Sequence, residues 1–227
     1  MRVATWNINS IRTRVGQVVA WGLEHNVDVL LLQETKCGDA DFPFDEFTNA
    51  GYEVAHHGLN HWNGVAIASR RGLTNVKQGF AGPVAPPYDE PRLMSAEVDG
   101  IRLWSIYVPN GRELDDPHYL YKLTWLERLR GDLLRSDAAD RPTIVAGDFN
   151  VALGLRDVTR EHHPGPGVYT WWNYRSGQFD KDHGLRLDLA LCSDAVADRV
   201  EAVRIDRVIR GAERPSDHAP LVIDLPV

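Results

Sequence analysis

Residues 27 to 33 read Val-Asp-Val-Leu-Leu-Leu-Gln, an almost unbroken apolar run. A strand points successive side chains to opposite faces, so consecutive apolar residues demand burial on both. Other layers must therefore cover both faces of the sheet that holds this strand. Arg2–Ile8 reads as a second strand, with Val3 and Ile8 among its apolar positions. Between the two, Ile11, Val15, Val18, Val19 and Leu23 recur at near-helical spacing. That spacing predicts a helix over about 11–25, capped by Asn9 or Ser10. A strand–helix–strand opening favours a mixed α/β architecture.

The rest of the chain extends this pattern. A short helix is expected over 43–49, and strands over 52–56 and 64–69. The Gly- and Pro-rich stretch 77–91 reads as a surface loop. Leu93–Val98 and Ile101–Val108 flank Asp99-Gly100, which suits a type I′ hairpin turn. The clearest long helix covers 119–134, with Pro117 in its first turn and Leu120, Leu123, Leu126 and Leu133 on its apolar side. Strands follow at 143–147, 187–191, 203–209 and 221–225, with a short helix at 194–200. Many strands, several hairpins and few long helices predict two packed sheets flanked by helices, because a strictly parallel sheet needs more crossover helices. No linker or repeat divides the chain, so one domain over residues 1–227 is expected.

Polar residues stand at the ends of these strands, where they are poor core material. Glu34 follows the most apolar strand, and a carboxylate there suits Mg²⁺, which favours hard oxygens and keeps waters able to contact phosphate. An ordinary surface acid beside Lys36 is the plainer alternative. In Gly147-Asp148-Phe149-Asn150, strand alternation places Asp148 and Asn150 on one face. Asp148 is suited to orienting or deprotonating water, and Asn150 to contacting a cation or a phosphoryl oxygen; an Asx turn is the structural alternative. Asp217 and His218 are adjacent and face apart if extended, the acid towards a cation and the imidazole towards phosphate. His218 then needs a carboxylate to fix its tautomer. Asp188, isolated in the apolar Leu185–Leu189 stretch, is the best candidate, since such an acid is costly without a partner. Asn7 and Tyr107 end their strands where an amide or hydroxyl can enter the same cleft.

Tyr169-Thr170-Trp171-Trp172-Asn173-Tyr174-Arg175 packs four large rings into six residues. They cannot all face one core, so one ring, Trp172, is expected to be exposed, forming a stacking wall beside a phosphate-binding Arg175. Lys122 and Arg128 are positioned to meet backbone phosphates, although solvated helix charge is the ordinary reading. The remaining histidines lack the spacing of a zinc site, and no CxxC or HExxH occurs.

Bulk properties exclude some classes. A net charge of −7 argues against binding nucleic acid through a large basic surface alone. Two cysteines, Cys37 and Cys192, do not amount to a disulfide framework and fit a reducing, cytoplasmic setting. There is no long apolar span and no signal-peptide pattern at the N-terminus.

In order along the chain stand ATWNINSIR at 4–12, LLQETK at 31–36, YVPNG at 107–111, GDFNV at 147–151, TWWNYRSG at 170–177, GLRLDLALCS at 184–193 and PSDHAP at 215–220. Together they resemble the exonuclease III family of endonuclease/exonuclease/phosphatase proteins, most of all its bacterial branch. The resemblance implies a four-layer α/β sandwich with two mixed sheets. It implies a Mg²⁺-dependent enzyme, with Mn²⁺ a possible substitute. The implied reactions are cleavage of DNA 5′ to abasic sites and removal of nucleotides or blocking groups from 3′ ends. The implied partner is double-stranded DNA, bound by a monomer. By the same resemblance, Asn7, Tyr107, Asp148, Asn150, Asp188 and His218 are catalytic. Glu34 leads a metal region that includes Asn7, Asp148, Asn150, Asp217 and His218. Lys122, Trp171, Trp172 and Arg175 contact substrate.

One departure stands out. In this family some tens of residues usually follow the GDFN-like motif and help line the DNA side of the cleft. Here only Val151, Ala152 and Leu153 separate it from the segment matching Gly154-Leu155-Arg156-Asp157-Val158. Either the chain is naturally shortened there or the sequence skips a segment. The immediate return to a family-like pattern at Leu155 favours the second, and a polypeptide mass matching 227 residues would mark the first.

Overall fold

The computed structural model describes residues 1–82, 89–113, 115–149 and 155–226. Two sheets of six strands face each other. The first contains β1 (Arg2–Asn7), β2 (Val29–Gln33), β3 (Glu53–His57), β4 (Val65–Ser69), β11 (Ala202–Ile205) and β12 (Leu221–Asp224), in the order β11-β12-β1-β2-β4-β3. The second contains β5 (Thr74–Gln78), β6 (Leu93–Val98), β7 (Ile101–Tyr107), β8 (Thr143–Asp148), β9 (Arg156–Asp157) and β10 (Asp188–Cys192), in the order β5-β6-β7-β8-β10-β9. Each sheet is mixed: β1 and β2 run parallel, as do β7 and β8, while the other pairs are antiparallel.

The doubly buried run behaves as its composition requires. Val29 and Leu31 of β2 enter the core between the sheets with Val3, Met94, Leu103 and Ile144. Leu30 and Leu32 face outward and are covered by Trp21 of α1 (Val15–Glu24) and Phe47 of α2 (Phe44–Asn49). On the far side, α3 (Pro117–Arg135) lays Trp125, Leu126, Leu129 and Leu133 over Trp104 and Val145. The result is a four-layer α/β sandwich. Among the described residues, no helix is long and apolar enough to cross a membrane.

The parallel pairs send Asn7, Gln33, Tyr107 and Asp148 to the same end of the sandwich. Antiparallel β10 begins there, Asp188 paired with Asp148, and the segment before β12 returns there.

Several expectations need correction. The first helix begins at Val15, not Ile11, and is capped by neither Asn9 nor Ser10. Backbone N–H groups of Ile8, Ser10 and Ile11 instead donate to Gln33, Glu34 and Thr35, which ties this segment to the end of β2. On α3, Leu120 and Leu123 are exposed, and Trp125 and Leu129 take the buried stripe. Strand β5 replaces the start of the expected 77–91 loop. All five of its residues are exposed on a sheet edge, so no apolar alternation marks it. The pair β9 and α4 (Val158–His162) was not anticipated. The hairpin turn has positive φ at Asp99 (49°) and Gly100 (77°), as type I′ requires.

Candidate functional site

Asn7 sits at the centre of the polar end. Its Nδ2 donates to Glu34 Oε1 at 2.8 Å and to Asp148 Oδ2 at 3.1 Å, drawing two carboxylates from different sheets together. Its Oδ1 accepts the backbone N–H of Asn9 at 3.1 Å. The amide thus turns its nitrogen towards the two carboxylates. Ser216 Oγ fixes the strand end by donating to the Asn7 carbonyl at 2.6 Å.

Glu34 adopts a left-handed backbone, φ 54°, as does Lys36. Lys36 Nζ stands 2.8 Å from Glu34 Oε2 and donates to Asn9 Oδ1 at 2.6 Å. Burial pushes the Glu34 carboxyl up, but the Lys36 ammonium and the Asn7 amide outweigh it and hold its pKa below the usual value. Tyr107 turns its phenol towards Glu34. Burial, and then the Glu34 charge, raise its pKa far above that of an ordinary tyrosine, so it stays a neutral hydroxyl. The Arg92 guanidinium stacks over its ring, 4.7 Å from the centroid.

His218 lies between two acids. Asp188 Oδ2 accepts from Nδ1 at 2.8 Å, and Nε2 faces Asp148 Oδ2 at 3.9 Å. Thr170 Oγ1 accepts the backbone N–H groups of Leu187 and Asp188, fixing where β10 begins. Burial disfavours charge on the imidazole, but Asp188 and then Asp148 raise its pKa well above normal. Burial also raises the Asp148 pKa, against the pull of His218. The structure thus brings Asp188 against His218, as the isolated acid in its apolar stretch suggested, and sets Asp148 on the other side of the ring.

Asp217 faces away from His218, as adjacency demanded. Its two oxygens are taken by Asn9 Nδ2 at 3.1 Å and Trp171 Nε1 at 3.0 Å. It therefore belongs to a rim chain running Glu34–Lys36–Asn9–Asp217–Trp171, rather than to the Glu34–Asp148 pair. Lys122 is half-buried on α3, and its pKa is lowered by burial against the attraction of Asp148, which it faces. Asn150 and the junction at 151–154 lie outside the described residues.

The aromatic run divides differently from expectation. Trp172 is fully buried rather than exposed, packed edge-on against Tyr169 and Phe179 and covered by Arg207. The exposed ring is Tyr174. The strand-like hydrogen bonds from Trp171 to Leu185 and from Trp172 to Asp217 turn successive indoles to opposite sides. Trp171 consequently lines a cleft of about 550 Å³ with Tyr169, Asn173, Arg175, His183 and Leu185. Arg128, the other helix cation considered for phosphate, stacks instead over Phe80 at 5.5 Å.

Reasoning from sequence missed Asn9, Lys36, Arg92, Thr170 and Ser216. None carries an isolated charge in an apolar strand. Only their closeness to Asn7 in NINS and to Glu34 in ETK marked Asn9 and Lys36.

The donor chemistry bears on a metal. Among the described residues, no three His, Cys, Asp or Glu side chains gather into a full cage. Two convergent carboxylates, Glu34 and Asp148, beside amide and phenol groups suit a hard cation that retains several waters, such as Mg²⁺. They do not suit zinc.

Comparison with known proteins identifies the family and matches the fold. The endonuclease/exonuclease/phosphatase family profile matches residues 4–218. The chain is 27% identical to an exodeoxyribonuclease III from Haemophilus influenzae, covering 97% of this chain and 98% of that protein. That alignment spans 264 positions against 227 residues here, so it opens gaps in this chain. An AP endonuclease from Archaeoglobus fulgidus superposes with a TM-score of 0.94 at 35% identity, covering 100% of both chains. A 3′-5′ exonuclease from Neisseria meningitidis gives 0.94 at 32%, again with 100% coverage of both.

Proposed function

The chain belongs to the endonuclease/exonuclease/phosphatase family, and from that premise we propose that it is a Mg²⁺-dependent DNA-repair phosphodiesterase of the exonuclease III type. It cleaves duplex DNA 5′ to abasic sites and removes nucleotides or blocking groups from 3′ ends. The observation that carries this reading is the convergence of Asn7 on Glu34 and Asp148, with His218 held between Asp148 and Asp188. The likeness to an AP endonuclease, and to a Neisseria 3′ phosphatase bound to a product DNA hairpin at 32% identity and TM-score 0.94, supports DNA as the substrate.

Glu34 and Asp148 would hold the ion, which when bound offsets negative charge on the phosphate and the departing oxygen. Asp148 orients the attacking water and takes its proton. The water oxygen bonds to phosphorus, the P–O3′ bond breaks, and the 3′ oxygen leaves with a proton drawn from solvent. His218, kept charged by Asp188, stabilises the phosphoryl oxygens. Asn7 fixes the spacing of the two carboxylates, and Tyr107 offers a neutral hydroxyl beside Glu34. Lys122 faces the phosphate region, and Trp171 and Arg175 line the cleft for the sugar and backbone next to it. Trp172 supports that wall from behind.

The test is a time course with Mg²⁺ on an abasic duplex, a recessed 3′-end duplex and an inositol phosphate. The first two are expected to be cleaved and the third left intact. Preferential hydrolysis of the inositol phosphate would overturn the DNA assignment.

A further inference from the structure

Behind the Glu34 loop lies a second polar network that the proposed mechanism does not use. Thr35, fully buried, stands between Glu34 and Lys36, both in left-handed backbone. A non-glycine residue in that region costs on the order of 1 kcal/mol, so the surrounding structure must hold it. Backbone bonds supply part of the restraint: Thr35 N–H donates to the Gly64 carbonyl at 3.2 Å, Lys36 N–H to Asn63 at 2.9 Å, and Ile11 N–H to Thr35 at 3.0 Å.

The side chain supplies the rest. Thr35 Oγ1 lies 2.8 Å from His56 Nε2, and His56 Nδ1 lies 2.8 Å from Asp39 Oδ1. Asp39 is itself fixed by the Gly58 N–H at 2.8 Å. The His56 side chain has no exposed surface and stacks on Phe42, ring centroids 4.2 Å apart. Nδ1 faces the Asp39 carboxylate closely but without an aligned hydrogen bond, and the nearby negative charge favours the proton on that nitrogen, which makes Nε2 the acceptor and Thr35 the donor.

Two glycines keep this network clear. A Cβ on Gly64 would fall 2.0 Å from Thr35 Oγ1, and one on Gly58 would fall 2.3 Å from His56 Cε1. Only the absence of both lets the hydroxyl and the ring meet.

The geometry points to His56 as a positioning residue that, through Thr35, locks the Glu34 carboxylate in its metal-holding direction. This rests on the reading of Glu34 as a metal holder. His56 touches neither substrate nor ion. Its effect is on how firmly the ion is held, and outer hydrogen-bonding partners of this kind change metal affinity by about 10- to 100-fold.

The experiment measures Mn²⁺ affinity by electron paramagnetic resonance, and separately kcat at saturating metal. Wild type is compared with Thr35→Val, His56→Phe, His56→Gln and Glu34→Gln. Thr35→Val and His56→Phe are expected to weaken Mn²⁺ binding about tenfold while leaving saturated kcat within about threefold. His56→Gln, which keeps a polar partner for Thr35, is expected to recover part of the affinity. Should His56→Phe fail to fold, Thr35→Val alone decides. Lower thermal stability with unchanged Mn²⁺ affinity in these variants would overturn the inference and leave His56 a purely structural residue. Glu34→Gln separates the two failures: if it also binds Mn²⁺ like wild type, the reading of Glu34 falls with the inference; if it does not, the inference alone falls.

Discussion

The indole Nε1 of Trp171 donates to Asp217 Oδ2 at 3.0 Å, so a residue lining the open cleft is tied to the acid next to His218. Asp217 also accepts from Asn9, and Asn9 in turn accepts from Lys36 beside Glu34. A side chain of the cleft is thereby connected to the polar centre through a chain of hydrogen bonds.

Trp171→Phe keeps a ring in the cleft and removes this donor. A hydrogen bond to a carboxylate is worth about 1.5–3 kcal/mol, partly recovered by water at a half-exposed site. The expected result is a KM for abasic duplex raised roughly five- to tenfold, with kcat changed less than threefold, in steady-state kinetics.

Asp188→Asn preserves shape but removes the charge that keeps His218 protonated. Asp188 is fully buried and is held in place by Thr170. Activity on abasic duplex should fall by about 100-fold or more. NMR of the imidazole should show the His218 pKa displaced downward.

Gly147 has φ 153°, and a Cβ there would lie 1.9 Å from the Ile106 carbonyl oxygen, a backbone atom of the neighbouring strand. Gly147→Ala must part β7 from β8 beside Asp148. Destabilisation of at least about 3 kcal/mol is expected in urea unfolding.

His56 makes stability depend on pH. Burial lowers its pKa to about 4, against the pull of Asp39, whereas an unfolded histidine titrates near 6.5. Between those values the unfolded chain binds a proton that the folded protein refuses, so the stabilisation is complete above about pH 6.5 and is lost as pH falls towards 4. The slope is up to about 1.4 kcal/mol per pH unit. In chemical denaturation at several pH values, the difference between wild type and His56→Phe should shrink across that window and stay flat above it.

Much of this site was legible because its residues are contiguous with strongly apolar strands. Glu34 ends the doubly buried run, Asp148 ends another, and an acid within Leu185–Leu189 had to find a partner, which is His218. What was not legible depended on facing. Trp171 and Trp172 look equivalent in sequence, yet strand-like pairing with Leu185 and Asp217 sends one indole to the cleft and the other to the core. Leu120 and Leu123 fit a helical stripe, but the sheet lies under Trp125 and Leu129, which set the angle of α3. Strand β5 has no buried face and hence no pattern to read. Asn9 and Lys36 join the site through left-handed turns that leave no periodic trace.

The central claim is that Asp148 activates water for phosphodiester cleavage. It is tested most directly by single-turnover nicking of a labelled abasic duplex with Mg²⁺, comparing wild type with the isosteric Asp148→Asn, whose fold is checked by circular dichroism. The account predicts a loss of about 1,000-fold or more in the cleavage rate, with the duplex still bound. A folded Asp148→Asn protein that nicks within tenfold of wild type would contradict it.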